Sequence, residues 1–358
     1  MAQGRVAISG ALIAYGFGLC YRYRLFFVQW VFGVVLVVHL LPTQGFAQTI
    51  HPISTTNLSP IALIQGIPAA SQSVIIQRNE AAVRVDYSIA SHYTLDKSAT
   101  EQVLFDGETR RATLSIKKGI TAHWDVEVLL PYISHDGGTL DGFIDDWHEA
   151  FGLSEGGRDK VARNKLRYFY QKNGETRFDV NTASSGVGDV QLLLSWQPNR
   201  QPVSQQRQLV FKGAVKFATG DADRLHGSGA PSLALWLAAN TRSQWFGLEG
   251  SHYGSLGAIL MAKGDVLPDQ QRPFAVFGGL GSGARVSQRV VLQAQLDAHT
   301  SLYSGSNFTE INSMALQLTL GGKVDINRHW RVDIGVVEDL RVHASPDVVF
   351  HLGIKRRL

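Results

Sequence analysis

The sequence predicts an all-β fold: a transmembrane antiparallel β-barrel of about 12 strands, with a short helix in one long extracellular loop. Three observations carry that prediction. Residues 81–96 alternate, with Val83, Val85, Tyr87 and Ile89 on one face and Arg84, Asp86, Ser88 and His92 on the other. The same period-two pattern returns until the last residue, Leu358. Charged residues make up only 18% of the 358 residues, below the roughly 25% usual for a soluble domain, as an outer surface in hydrocarbon requires.

Alternating runs cover 81–96, 110–120, 124–132, 188–197, 207–218, 231–240, 244–254, 272–281, 287–299, 312–323, 329–337 and 348–358. An even number returns both ends of the barrel to the periplasm. The periplasmic turns are then 121–123, 198–206, 241–243, 282–286 and 324–328. The outer loops are 97–109, 133–187, 219–230, 255–271, 300–311 and 338–347. Short turns and long outer loops are what such barrels have. Trp124, Trp196, Trp245 and Trp330 all fall at periplasmic strand ends, the depth at which indoles form a membrane girdle. The chain ends with its last strand, where barrel-assembly machinery reads its clients. His351, Gly353 and Leu358 resemble that signal, whereas Arg356 stands where an apolar residue is usual.

Three segments follow: a signal peptide at 1–47, an N-terminal periplasmic or plug segment at 48–80, and the barrel at 81–358. Arg5, Arg22 and Arg24 precede an apolar stretch, Leu25–Leu41, and then Gly45-Phe46-Ala47, the three parts of an export signal. The basic leader is long enough that translation would start further downstream. Periplasmic chaperones are the expected escorts of such a chain. Residues 1–47 carry three of the 34 basic residues and none of the 30 acidic ones, leaving 31 against 30. That balance gives no electrostatic case for nucleic acid. The single cysteine, Cys20, leaves with the leader, which excludes disulfides and thiolate chemistry. A mean hydropathy of -0.02 argues against a helical membrane bundle.

The strand faces opposite the apolar ones carry Arg84, Asp86, Arg111, Asp125, Lys212, Lys216, Asp297 and Asp333, the candidate pore residues. Lys117, Glu127 and Arg331 share those faces. Both signs are present, so the interior is either a salt-bridged core or a mixed-charge channel. In the longest loop, Leu140, Phe143, Ile144, Trp147 and Phe151 follow helical spacing, and with His148 they make a candidate lid. The carboxylates around them point in several directions, so neither a metal nor another cofactor is expected. Arg158, Arg163 and Lys165 offer contacts for lipopolysaccharide, the expected partner beside outer-membrane lipid, and the oligomeric state is left open. His226-Gly227-Ser228-Gly229 is the nearest string to a hydrolase site, but it reads first as turn chemistry, and no catalytic residues are expected.

Several strings resemble an uncharacterised family of Gram-negative outer-membrane proteins, a domain of unknown function. They are Asn57-Leu58-Ser59-Pro60 with Gly66-Ile67-Pro68, Leu140 to Ile144 leading to Trp147-His148 and Phe151 to Leu153, and Gly186 to Val190. Glu338-Asp339-Leu340 and Ser345 to Phe350 complete the set. Gly188-Asp189 and Lys216-Phe217-Ala218-Thr219-Gly220 are also similar to barrels of the meta-pathway phenol-degradation type, with Ala218 where those have proline. That resemblance implies passage of small hydrophobic compounds. The leading expectation is a channel or transporter for small hydrophobic or amphipathic molecules. The alternatives are a closed structural or adhesion barrel contacting lipopolysaccharide, and a lipid-modifying hydrolase.

Overall fold

The computed structural model describes residues 50–70, 73–138, 164–198, 207–245, 247–341 and 344–358, all within one compact unit. The export signal and the candidate lid residues Leu140, Phe143, Ile144, Trp147, His148 and Phe151 lie outside the described residues.

Alternation makes the strands. They are β1 (Ala81–Lys97), β2 (Glu101–Gly119), β3 (Trp124–Asp136), β4 (Arg167–Lys172), β5 (Glu175–Val180), β6 (Ser184–Val187), β7 (Gln191–Trp196) and β8 (Arg207–Lys216). The second half has β9 (Ser232–Trp245), β10 (Leu248–Met261), β11 (Phe274–Arg285), β12 (Val290–His299), β13 (Ala315–Asp325), β14 (Trp330–Asp339) and β15 (Val348–Arg357). β6 and β7 pair with successive parts of β3 and act as one interrupted strand. Each barrel strand pairs antiparallel with its sequence neighbour, and β15 returns to β1 from Ala82↔Arg357 to Ser91↔Val348. Twelve strands therefore close on themselves and leave no free edge.

The outer face is apolar. Leu256, Leu280 and Leu235 are 66%, 65% and 61% exposed, and Leu237↔Leu256 and Leu320↔Val336 oppose one another across strands. A continuous belt of this kind needs lipid around it. Inside, the partners on the alternate positions are polar and buried: Lys117, Asp125, Gln293, Gln295 and Asp333. Both strand termini meet at one end, where Leu358 N–H donates to the Ala81 carbonyl. At the opposite end the β4–β5 hairpin, α1 (Pro60–Leu63) and the loops after β8, β10 and β12 bury a common core. Tyr168, Tyr170, Leu267, Tyr303 and Ile64 lie in it.

Strand limits depart from expectation in four places. Residues 97–109 are not an outer loop: β1 and β2 run past them to a turn at 98–100. Asp106-Gly107 looks like a turn, but Gly107 takes φ +144° inside the strand, and β2 there pairs with β4 beyond the end of β3. The 133–187 connection likewise contains the end of β3 and the β4–β5 hairpin. β10 extends to Met261, shortening the loop expected at 255–271. The turn expected at 241–243 falls instead beside Gly247, whose φ of +81° suits it to a tight reversal.

Candidate functional site

The barrel is not empty. Residues 50–61 run inside it parallel to β12, at a constant offset of 242 residues. Gln293 donates to the His51 carbonyl at 2.7 Å, and Gln295 accepts from Ile53 N–H at 3.1 Å while donating to the Ile53 carbonyl at 3.2 Å. Thr55 reaches Asp297 at 3.5 Å, Asn57 meets His299 at 3.0 Å, and the Tyr303 hydroxyl donates to the Ile61 carbonyl at 3.0 Å. The wall's own backbone groups are spent on neighbouring strands, so only its side chains can pair with an inner segment. A glutamine amide offers a donor and an acceptor together, and so imitates a strand edge. Two further anchors act from other walls: Asn240 donates to the Ile50 carbonyl and Lys323 to that of Pro52, each at 2.7 Å. A side chain at Gly321 would collide with Ile53.

After α1 the chain reverses at Gly66 and descends the other side. Ile76 N–H donates to Asp125 at 3.0 Å, and Asn79 N–H to the Gly119 carbonyl at 3.3 Å, before β1 begins. Between the two legs and the wall of β1, β2, β3, β7, β8 and β15 lies a cavity of about 110 Å³. Its lining mixes charge with apolar surface, including Arg84, Asp86, Arg111, Lys212 and Lys355 beside Ile67, Leu129 and Leu193.

Charges around this space are mostly paired. Arg84 bridges Asp86 and Asp333, Lys117 bridges Asp125 at 3.1 Å and Glu127 at 3.6 Å, and Arg331 meets Asp325 at 2.6 Å. Arg111 donates to Thr56 Oγ1 at 3.1 Å.

A second cluster sits higher, at the break between β6 and β7. The Asp189 carboxylate accepts from Lys216 and from the N–H groups of Thr219, Gly220 and Ser228 at 3.1, 2.9 and 3.0 Å. Gly66, with φ +78°, packs on the Lys216 side chain where a Cβ would not fit. Gly66 and Asp189, from two strings that carry the family resemblance, and Lys216, from the string similar to the meta-pathway barrels, thus converge on one ion pair. Asn57 and the tail strings converge similarly, since Asn57 donates to the Ala344 carbonyl and Asp339 holds the N–H groups of Arg341, Ala344 and Ser345.

Arg84, Asp86, Arg111 and Lys212 line the cavity together. Asp333 joins them through Arg84, and Asp125 through Lys117. Lys216 belongs to the Asp189 cluster and Asp297 to the β12 ladder. Trp124, Trp196 and Trp330 face outward, the first two stacked at 6.1 Å, while Trp245 ends β9. Ser228 is tied to Lys216 and to the Ala230 carbonyl, and His226 instead meets Ser184 at 3.2 Å. Lys355 was not among the expected residues, although its alternation with Ile354 was there to use. The ladder to His51, Ile53 and Thr55 had no local signal at all.

Several solved structures are similar to this chain. An outer-membrane channel from Pseudomonas putida F1 is similar over 79% of this chain and 97% of its own, at a TM-score of 0.50 and 12% identity. The toluene transporter TbuX of Ralstonia pickettii covers 86% of this chain and 96% of its own, at 0.37 and 10%. The NanC porin covers 78% and 100%, at 0.41 and 8%. No curated protein matches in sequence. A closed twelve-stranded barrel with an apolar outer belt is an outer-membrane barrel. A family profile matches residues 30–358, nearly the whole chain, and the protein belongs to that family, described as protein of unknown function (DUF3187).

Proposed function

We propose that this outer-membrane barrel is a channel for small amphipathic molecules, with residues 50–78 acting as a plug. One observation carries the reading: residues 51–57 are held by side chains of the wall, from Gln293 to His299, and the segment pairs with the barrel's backbone only where it ends, at Arg78 beside Gly119. Side-chain rungs are individually weak, about 0.5–1.5 kcal/mol net each, so the segment can shift without breaking the barrel. The cavity beside it, polar on one side and apolar on the other, is the start of a path. The outward Trp124, Trp196 and Trp330 belong to the girdle at the periplasmic boundary in this reading.

A closed structural barrel is the second reading, favoured by the apolar core that fills the end opposite the termini. Conductance of the purified protein in planar bilayers separates the two. The channel reading expects small intermittent currents that become larger and sustained in Gln293→Ala/Gln295→Ala. Silence in both, with the barrel shown folded by heat-modifiable migration in gels, would leave the closed barrel.

A further inference from the structure

The cavity holds more positive charge than its own carboxylates neutralise. Arg84 pairs directly with Asp86 and Asp333, and Lys117 with Asp125 and Glu127. Lys212 and Lys355 do not. They are only 4% and 8% exposed, both line the cavity, and among the described residues neither makes an ion pair or a hydrogen bond. Lys212 has the Trp236 ring 6.0 Å away, a cation–π contact at its outer limit that does not replace a counter-ion. Arg111, on the same wall, donates to Thr56 and leaves its Nε without an acceptor. Asp86 acts on Arg111, and Glu127 on Lys212 and Lys355, only from beyond ion-pair distance. Three buried basic groups facing one space with no carboxylate in contact, among the described residues, favour an anion between them, which would hold the two amines in their charged form.

We infer that this cavity is a binding site for a small amphipathic carboxylate, its anionic head between Lys212, Lys355 and Arg111 and its apolar body on Ile67, Leu129 and Leu193. Guanidinium and ammonium donors suit a carboxylate head. At about 110 Å³ the space is of the order of the ~150 Å³ engineered cavity that takes up benzene, so the body is a single ring or a short chain. The assignment rests on the channel reading only for its meaning, because binding is measurable without transport.

The test is calorimetric titration of the detergent-folded full-length mature protein with benzoate, with its neutral counterpart benzyl alcohol, and with chloride. Benzoate is expected to bind, and Lys212→Met and Lys355→Met each to weaken it about tenfold, the effect of one charge-assisted contact. Lys212→Arg keeps the charge and restores affinity. Removing an unpaired buried charge leaves the barrel folded, which heat-modifiable migration checks. Absent benzoate binding, affinity unchanged in both methionine variants, or benzyl alcohol bound as tightly as benzoate would overturn the site. Chloride bound as tightly as benzoate would overturn the apolar half of the assignment. Binding without conductance sinks the channel reading and keeps the site, whereas conductance without binding sinks the site alone.

Discussion

Lys216 donates to Asp189 across 27 residues of sequence, and the same ammonium reaches the Ser228 hydroxyl at 2.6 Å and the Ala230 carbonyl at 2.8 Å. The pair fastens the interrupted strand β6–β7 to the loop after β8. Its two halves are unequally replaceable. Asp189 keeps three backbone N–H donors if Lys216 goes, but Lys216 has no second carboxylate if Asp189 goes. Asp189→Ala is therefore expected to cost about 3–5 kcal/mol in guanidinium unfolding of the refolded barrel. Lys216→Met is expected to cost clearly less. Equal losses would mean that the backbone donors contribute nothing.

Among the described residues, Gln295 is the one wall residue that satisfies both backbone groups of an inner residue, Ile53. Gln295→Ala leaves a buried N–H and carbonyl without partners, at about 1–3 kcal/mol for each group. Because the rest of the barrel does not depend on them, the loss appears locally. Hydrogen exchange of a peptide covering 50–58 is expected to accelerate by at least tenfold while peptides of β13 and β14 keep their protection. Uniform acceleration throughout would show that the inner segment is integral to the barrel and does not act as a plug.

The barrel was legible because its cause is local. Val83, Val85 and Tyr87 on one face and Arg84 and Asp86 on the other need no knowledge of distant residues, and all twelve strands follow from that rule. Errors arose where local chemistry pointed the wrong way. Asp106-Gly107 has turn composition but serves a strand whose partner, β4, sits in the longest loop. The candidate site was half legible. Inward charges such as Arg84, Lys212 and Asp333 follow from alternation, but which of them lack partners is decided by register between strands far apart in sequence. The ladder from His51 to Ile61 depends on matching two segments 242 residues apart, and neither segment advertises the other.

Arg356 stands at the C-terminal end of β15 with its guanidinium 5.3 Å from the Trp330 ring, directly across the strand pair. This contact explains the departure from the usual apolar residue: a charge near a membrane boundary costs about 0–1 kcal/mol, and the ring offsets it. Arg356→Ala is expected to lower barrel stability by about 0.5–1 kcal/mol. In the Trp330→Phe background the same change should cost less, so a double-mutant cycle measures the coupling. A coupling of zero would mean that the two side chains merely share a depth.

Glu310, in the loop after β12, is buried among the residues that close the end opposite the termini, and its carboxyl faces Asp96. Burial, reinforced by the Asp96 charge, pushes its pKa up from the ordinary 4.5 to about 7. The folded value lies above the unfolded one, so the protonated acid belongs to the packed loop. Its stabilisation is complete below the unfolded value and is lost as pH rises through about 7. Limited proteolysis of the loop at 300–314 is accordingly expected to be slow at pH 5 and faster at pH 8. Glu310→Gln, which is neutral at every pH, should stay slow at both. On the channel reading, the same shift should raise open probability between pH 5 and 8 in the wild type and not in Glu310→Gln. A loop equally resistant at both pH values in the wild type would remove Glu310 as the titrating group.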